Sequence, residues 1–279
     1  DYNCVQYFTY RYFMKFITSL FFLIFIQTFA FSYNETKVFQ KIEKDLDSII
    51  VKDLNKKTLI FSKDVNQTVS PASLTKIMTA ILAIESGKMN SIVTITPEMK
   101  KVEPTILNFK VGEKFYLKDL VHAALIKSAN DAATAIAIYL GNGNKQTFVN
   151  MMNWRAKKLG MTNTSFQNPC GFDAKNHKST ANDLLKLTEY AIKNSTFNSI
   201  VKMNAYAFKA VNTKRVYRIH TSNKLLDKEK YVIGVKTGFT NQAGPCLIAR
   251  AKKDKKDILV VMLNAQNRWA NTKMALDTI

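Results

Sequence analysis

Ser73 and Lys76 stand three residues apart in Ser70-Pro-Ala-Ser-Leu-Thr-Lys-Ile-Met-Thr79. On a helix, positions i and i+3 share a face, so the hydroxyl and the amine would lie side by side. A serine hydroxyl is a weak nucleophile until a neighbouring base takes its proton. A lysine amine becomes that base when its pKa is lowered. Pro71 suits the opening of a helix, and the helix dipole would then place its positive end near Ser73. The spacing alone decides little, because Ser199-Ile-Val-Lys202 repeats it.

Two further groups are placed to complete such chemistry. Ser128-Ala-Asn130 falls inside a buried alanine-rich stretch, where a hydroxyl and an amide need hydrogen-bond partners. They can orient a lysine or pass a proton to a leaving group, or simply cap the local backbone. Lys236-Thr-Gly238 follows the apolar run Tyr231–Val235. An amine and a hydroxyl on a strand edge suit a substrate carboxylate, and glycine lets a ligand approach the backbone. The same residues equally suit an exposed strand end followed by a turn.

The elements that must hold these residues follow from periodicity. Residues 48–51 and 58–62 read as strands around a turn at 53–57. Helical spacing runs from Ser73 to about Ser86 and ends at Gly87. Asp119 to Leu140 reads as one buried helix, 145–159 as an amphipathic helix closed by Gly160, and Thr180 to Lys193 as another helix. Residues 162–180 are polar loop. Segments 205–210, 216–219, 232–237, 246–252 and 257–264 read as strands, and 268–279 as a helix. Short turns between the last strands imply antiparallel pairing, and residues 48–62 must supply the other strands. The expected fold is therefore α/β (α+β): about five antiparallel strands flanked by helices, plus a mainly helical subdomain from mid-chain.

Composition sets outer bounds. The chain has 279 residues, of which 47% are hydrophobic, so a sizeable core is expected. A net charge of +20 fits a solvated lysine surface, an anionic membrane or an anionic wall polymer. Nucleic acid is not expected, since there is no arginine-rich arm or recognisable nucleic-acid module. Cys4, Cys170 and Cys246 make no disulfide framework, and no clustered His/Cys set points to a metal or other cofactor. Residues 1–13 read as upstream read-through. Residues 14–32 read as a signal peptide or N-terminal anchor: Met14-Lys15 precedes an apolar run of about 16 residues, short for a stable membrane span. Membrane association through 14–32 and an extracytoplasmic location (periplasm or outer face of the cytoplasmic membrane) are expected. Residues 33–279 form the catalytic domain.

S-x-x-K, S-x-N and K-T-G in this order resemble the penicillin-binding and serine β-lactamase group. The flanking residues narrow it. Pro71–Thr79, Ser128-Ala-Asn-Asp-Ala-Ala133, Gly234-Val-Lys-Thr-Gly-Phe-Thr240, Leu159–Thr164 and Ser179-Thr-Ala181 resemble the D-alanyl-D-alanine carboxypeptidases, the low-molecular-mass penicillin-binding proteins. The resemblance implies a β-lactamase/transpeptidase-like fold and metal-free acyl transfer. Its substrate would be the peptidoglycan stem peptide, and β-lactam antibiotics would inhibit it covalently. Ser73 would be the nucleophile, Lys76 its base, and Ser128 and Asn130 the rest of the proton network. Lys236 and Thr237 would hold the terminal carboxylate. Gly238 lies at that strand edge, and the backbone N–H groups of Ser73 and Phe239 would form an oxyanion hole.

Departures from the family pattern carry information. Phe239 stands where some members have histidine, which should alter specificity more than chemistry. The resemblance also implies a β-rich second domain and a C-terminal amphipathic helix, which this sequence does not reach. A serine β-lactamase of class A deacylates with a glutamate after the S-x-N helix. Residues 164–179 hold Asp173 but no glutamate, so slow release of penicillin is expected. A D,D-endopeptidase of peptidoglycan crosslinks and a decayed, non-catalytic wall-binding protein are the remaining alternatives.

Overall fold

The computed structural model describes residues 36–279; the segment 14–32 read as a signal or anchor lies outside them. The chain opens with helix α1 (36–42) and the hairpin β1 (Ser48–Asp53) and β2 (Thr58–Lys63). A short 3-10 turn, Ala72–Thr75, leads into α2 (Lys76–Glu85). Then come β3 (Ile92–Thr94), β4 (Lys114–Tyr116) and α3 (Leu117–His122). A π-helical turn, Ala123–Lys127, precedes α4 (Asn130–Leu140) and α5 (Lys145–Lys158). After a loop come α6 (Ala181–Ala191), α7 (Ser195–Ile200), the hairpin β5 (Ala205–Lys209) and β6 (Val216–His220), and α8 (Lys224–Lys228). The chain finishes with β7 (Val232–Thr240), β8 (Gly244–Lys253), β9 (Lys256–Leu263) and α9 (Arg268–Thr278).

The main sheet is five-stranded and antiparallel, in the order β2-β1-β9-β8-β7. Residues 48–63 do join the C-terminal strands: Ile49 pairs with Met262 and Val51 with Val260. Strand side chains alternate between faces, and the core is divided accordingly. Ile50, Ile248, Leu259, Val261 and Leu263 face one buried cluster, shared with α2, α4 and α6. Ile49, Val51, Leu247, Val260 and Met262 face the other, under α1, α8 and α9. Helices cover both faces, which is why 258–263 is buried throughout and reads as an unbroken apolar run. Truncating one such leucine to alanine typically costs about 2–5 kcal/mol.

One expectation fails. The stretch from Asp119 to Leu140 is not a single helix. It is α3, a π turn, a break at Ser128 and Ala129, then α4. Ser128 sits in the left-handed region (φ 66°) and Ala129 is extended. The break is fixed from outside the helix. The Asn130 amide N–H donates to the Thr105 carbonyl at 2.7 Å instead of continuing the helical ladder. The three-residue strands β3 and β4 and the short helices α7 and α8 have no counterpart in the sequence reading.

Candidate active site

Ser73 is set up by strain just before it. Ala72 has φ 47°, a left-handed conformation that costs a non-glycine residue of order 1–2 kcal/mol. Gly171 accommodates that turn. A Cβ on Gly171 would lie 1.8 Å from the Ala72 carbonyl oxygen, so only glycine fits there. Gly238 plays a similar part on β7: a Cβ there would come within 3.3 Å of the Ser73 amide nitrogen. Strand β7 therefore runs close against the Ser73 turn.

Lys76 opens α2 and is fully buried. Its Nζ lies 2.9 Å from Ser73 Oγ and donates to the Cys170 carbonyl at 2.6 Å. Burial lowers its pKa to about 8, against a smaller opposing influence of the Cys170 thiol. The sequence reading placed the two residues on one helical face. In the structure the pair straddles the junction of the 3-10 turn and α2.

Lys236 is buried on β7, and its Nζ donates to Ser128 Oγ at 2.9 Å and to the Thr237 carbonyl at 2.9 Å. Burial, then the nearby charges of Lys76 and Arg268, push its pKa well down. Thr237 Oγ1 shares a hydrogen bond with Ser222 Oγ at 2.7 Å. Asn130 Nδ2 donates to the Glu103 carbonyl at 2.9 Å, and Asp131 accepts the amides of Leu107 and Asn108 at 2.9 Å. Together they fasten the 103–108 segment over the cleft.

Ser73, Ser128, Asn130 and Phe239 line one open cleft of about 360 Å³. Lys76 and Lys236 sit beneath it, each bonded to one of its serines. The Phe239 side chain is 60% exposed at the rim, leaving its backbone as the part nearest the chemistry. Ser199 and Lys202 take no part: Ser199 lies in α7 and donates to the Thr196 carbonyl.

Several contributors escaped the sequence reading. The Cys170 carbonyl holds Lys76, and a backbone oxygen leaves no mark in residue types. Asp173 accepts from Ser70 Oγ (2.7 Å), Thr240 Oγ1 (2.8 Å) and the Gln242 amide (3.3 Å). It thereby ties the 162–180 loop to both the nucleophile segment and the end of β7. Arg268 on α9 donates to the carbonyls of Gly238 (2.5 Å) and Cys246 (3.0 Å), bracing β7 from behind. Cys170 and Cys246 are both buried free thiols.

The sheet order, the mid-chain helical subdomain and the cleft between them define a penicillin-binding-protein-like fold. The structure superposes on a Streptomyces DD-transpeptidase with a TM-score of 0.79 at 27% identity, covering 84% of this chain and 96% of that one. A D-alanyl-D-alanine carboxypeptidase from Mycobacterium tuberculosis gives a TM-score of 0.78 at 26% identity, covering 84% and 90%. The sequence profile of the D-alanyl-D-alanine carboxypeptidase family (Peptidase_S11) matches residues 34–267, and this chain belongs to that family. It is 30% identical to D-alanyl-D-alanine carboxypeptidase DacF of Bacillus subtilis over 85% of this chain but 61% of that protein. It is also 30% identical to an Escherichia coli D-alanyl-D-alanine endopeptidase, over 80% of this chain and 73% of the relative.

Proposed function

We propose that this chain is a serine-type D-Ala-D-Ala carboxypeptidase that removes the terminal D-alanine from peptidoglycan stem peptides. The observation that carries the reading is the 2.9 Å contact between buried Lys76 Nζ and Ser73 Oγ, in a cleft that Lys236 and Ser128 also reach. Neutral Lys76 takes the Ser73 proton as Oγ attacks the carbonyl carbon of the penultimate D-alanine. The oxyanion that forms accepts hydrogen bonds from the backbone N–H groups of Ser73 and Phe239. Each such donor is worth about a hundred- to a thousandfold in rate. The substrate's terminal carboxylate lies against Lys236 and Thr237. Ser128 Oγ relays the proton held by Lys76 to the departing nitrogen, the C–N bond breaks, Lys76 is neutral again, and D-alanine leaves. Asn130 holds the peptide. Water then attacks the acyl ester, Lys76 again accepts the proton, and Ser73 is regenerated.

β-Lactams would acylate Ser73 by the same route. The ester should persist, because Asp173, the only carboxylate in the 164–179 loop, already accepts from three donors. The substrate is a wall polymer outside the cytoplasmic membrane, so the protein would act there. Cleavage of peptide crosslinks is a second reading, favoured by the endopeptidase relative. The test compares D-alanine release from a D-Ala-D-Ala peptide with cleavage of a crosslinked muropeptide. Mass spectrometry after penicillin treatment accompanies it. The expected result is D-alanine release and a Ser73 adduct that Ser73→Ala abolishes. Folded protein with neither activity nor adduct would overturn the reading.

A further inference from the structure

Beside the Ser73 cleft lies a second depression of about 480 Å³. Lys100, Lys101 and Lys145 line it, and it shares Glu103, Cys170 and Phe172 with the first cleft. The two depressions are therefore neighbours, meeting at these three residues, with Phe239 and Thr240 of β7 lining the first and the lysines lining the second. Two distant segments build the basic end: the turn around Glu98–Lys100, and the first residue of α5. Among the described residues, none of the three lysines has a carboxylate within ion-pair distance. Lys145 stands close enough to Cys170 to favour its thiolate, although burial dominates and pushes that thiol up. The acids nearby are Glu103 in the lining, Glu98, and Asp131, which is buried and close enough to Cys170 to oppose its ionisation. Glu98 is held low chiefly by its own backbone amide and Thr96, with a smaller contribution from Lys101. Three cations therefore face one lining carboxylate.

We propose that this depression is a subsite for a carboxylate carried by the donor peptide upstream of the reacting D-alanine. The inference rests on the acyl-transfer reading of Ser73 given above. With the terminal carboxylate against Lys236, one way out of the cleft for the rest of the peptide passes Glu103 and Phe172, which the two depressions share. That route leads to the lysines. An extended chain advances about 3.3 Å per residue, so the carboxylate belongs within the first few residues upstream. The preferred substrate is then an acidic peptide rather than any chain ending in D-Ala-D-Ala.

The test uses peptides ending in D-Ala-D-Ala with glutamate, or glutamine in its place, one, two or three residues upstream of the reacting D-alanine. The readout is the ratio of kcat/KM for each glutamate and glutamine pair. At the best position the ratio should be about tenfold in the wild type, given the modest worth of each exposed ion pair. It should shrink as sodium chloride is raised, because exposed charges are screened. It should fall to about twofold or less in the triple variant Lys100→Ala, Lys101→Ala, Lys145→Ala. Thermal melting reports whether that variant folds. If it does not, Lys145→Glu and the salt series decide, and the reversed charge should lower the ratio. A ratio near one at every position, or one that survives salt and lysine removal, overturns the subsite. Equal cleavage of both peptides sinks the subsite alone. No cleavage of either, with no penicillin adduct, sinks the reading of Ser73 and the subsite with it.

Discussion

Lys76 Nζ touches two oxygens, Ser73 Oγ at 2.9 Å and the Cys170 carbonyl at 2.6 Å. A neutral amine has two N–H donors and one lone pair. The carbonyl accepts one N–H, which leaves the lone pair free to face the serine proton. On the proposed mechanism, Cys170 would orient the base as a third member orients histidine in other nucleophile systems. Burial supplies the remaining need by holding the lysine pKa near 8.

The pH dependence follows from that value. Only neutral Lys76 can accept the Ser73 proton, and ammonium dominates below about pH 8. Acylation by penicillin should fall about tenfold per unit as pH drops below that point and level off above it. Stopped-flow labelling across pH 5.5 to 9.5 checks this. Lys76→Arg carries a permanent charge, and should lower the rate by about a hundred- to ten-thousandfold and erase the profile.

Lys236 is buried beside Lys76, and the half-buried Arg268 lies near enough that both charges add to burial in lowering the Lys236 pKa. Lys236 and Arg268 meet only hydroxyl and carbonyl oxygens. A substrate carboxylate would be the anion this group lacks. Lys236→Ala should therefore lower kcat/KM by about a hundredfold for a peptide with a free terminal carboxylate. The loss should be much smaller for the same peptide with an amidated end. Steady-state kinetics on the two peptides measures the difference.

Gly171 and Gly238 should respond differently to alanine. At Gly171, φ is +91° and the new Cβ would meet the Ala72 carbonyl at 1.8 Å. Urea denaturation should show a loss of about 2–3 kcal/mol. At Gly238 the nearest atoms are the Ala72 Cβ at 3.1 Å and the Ser73 nitrogen at 3.3 Å. That variant should keep most of its stability and acylate more slowly, because the β7 backbone is pushed from the nucleophile.

His177 predicts a pH-dependent stability. Its Nδ1 accepts the Gln167 amide at 2.9 Å, so the proton sits on Nε2, which donates to Thr75 Oγ1 at 3.0 Å. Burial lowers its pKa to about 4 from 6.5. The unfolded chain therefore takes up a proton that the folded one refuses between these values. Stability should be full above pH 6.5 and fall steadily toward pH 4. In His177→Gln this contribution to the urea midpoint's pH slope should vanish.

The sequence made most of the scaffold legible. Strands β8 and β9 hold the apolar runs Cys246–Ala249 and Ile258–Leu263 on either side of a short turn, because helices cover both sheet faces. Ser73, Lys76 and Lys236 were visible through spacing and order. The break at Ser128 was not. Ala123–Ala133 contains neither glycine nor proline, and the interruption is made by Thr105, far away in sequence. Asp173 was hidden for the same reason, since its partners Ser70 and Thr240 lie on other segments. Backbone atoms such as the Cys170 carbonyl have no residue type to betray them.

The pairing of β1 with β9 has a kinetic consequence. Ile49 meets Met262, so the sheet's central junction closes a loop made of nearly the whole described chain. Such non-local pairings pay their loop entropy before any contact rewards it, and they form slowly. The Ser73 turn and α2 can become helical early, but Lys236 reaches Ser128 only when β7 docks on β8, which is itself paired with β9. The hydroxyl therefore exists long before the enzyme does. On the proposed mechanism an unfinished chain would carry Ser73 in a form that neither peptide nor penicillin acylates, and reactivity toward penicillin would become a clock for the last step of folding.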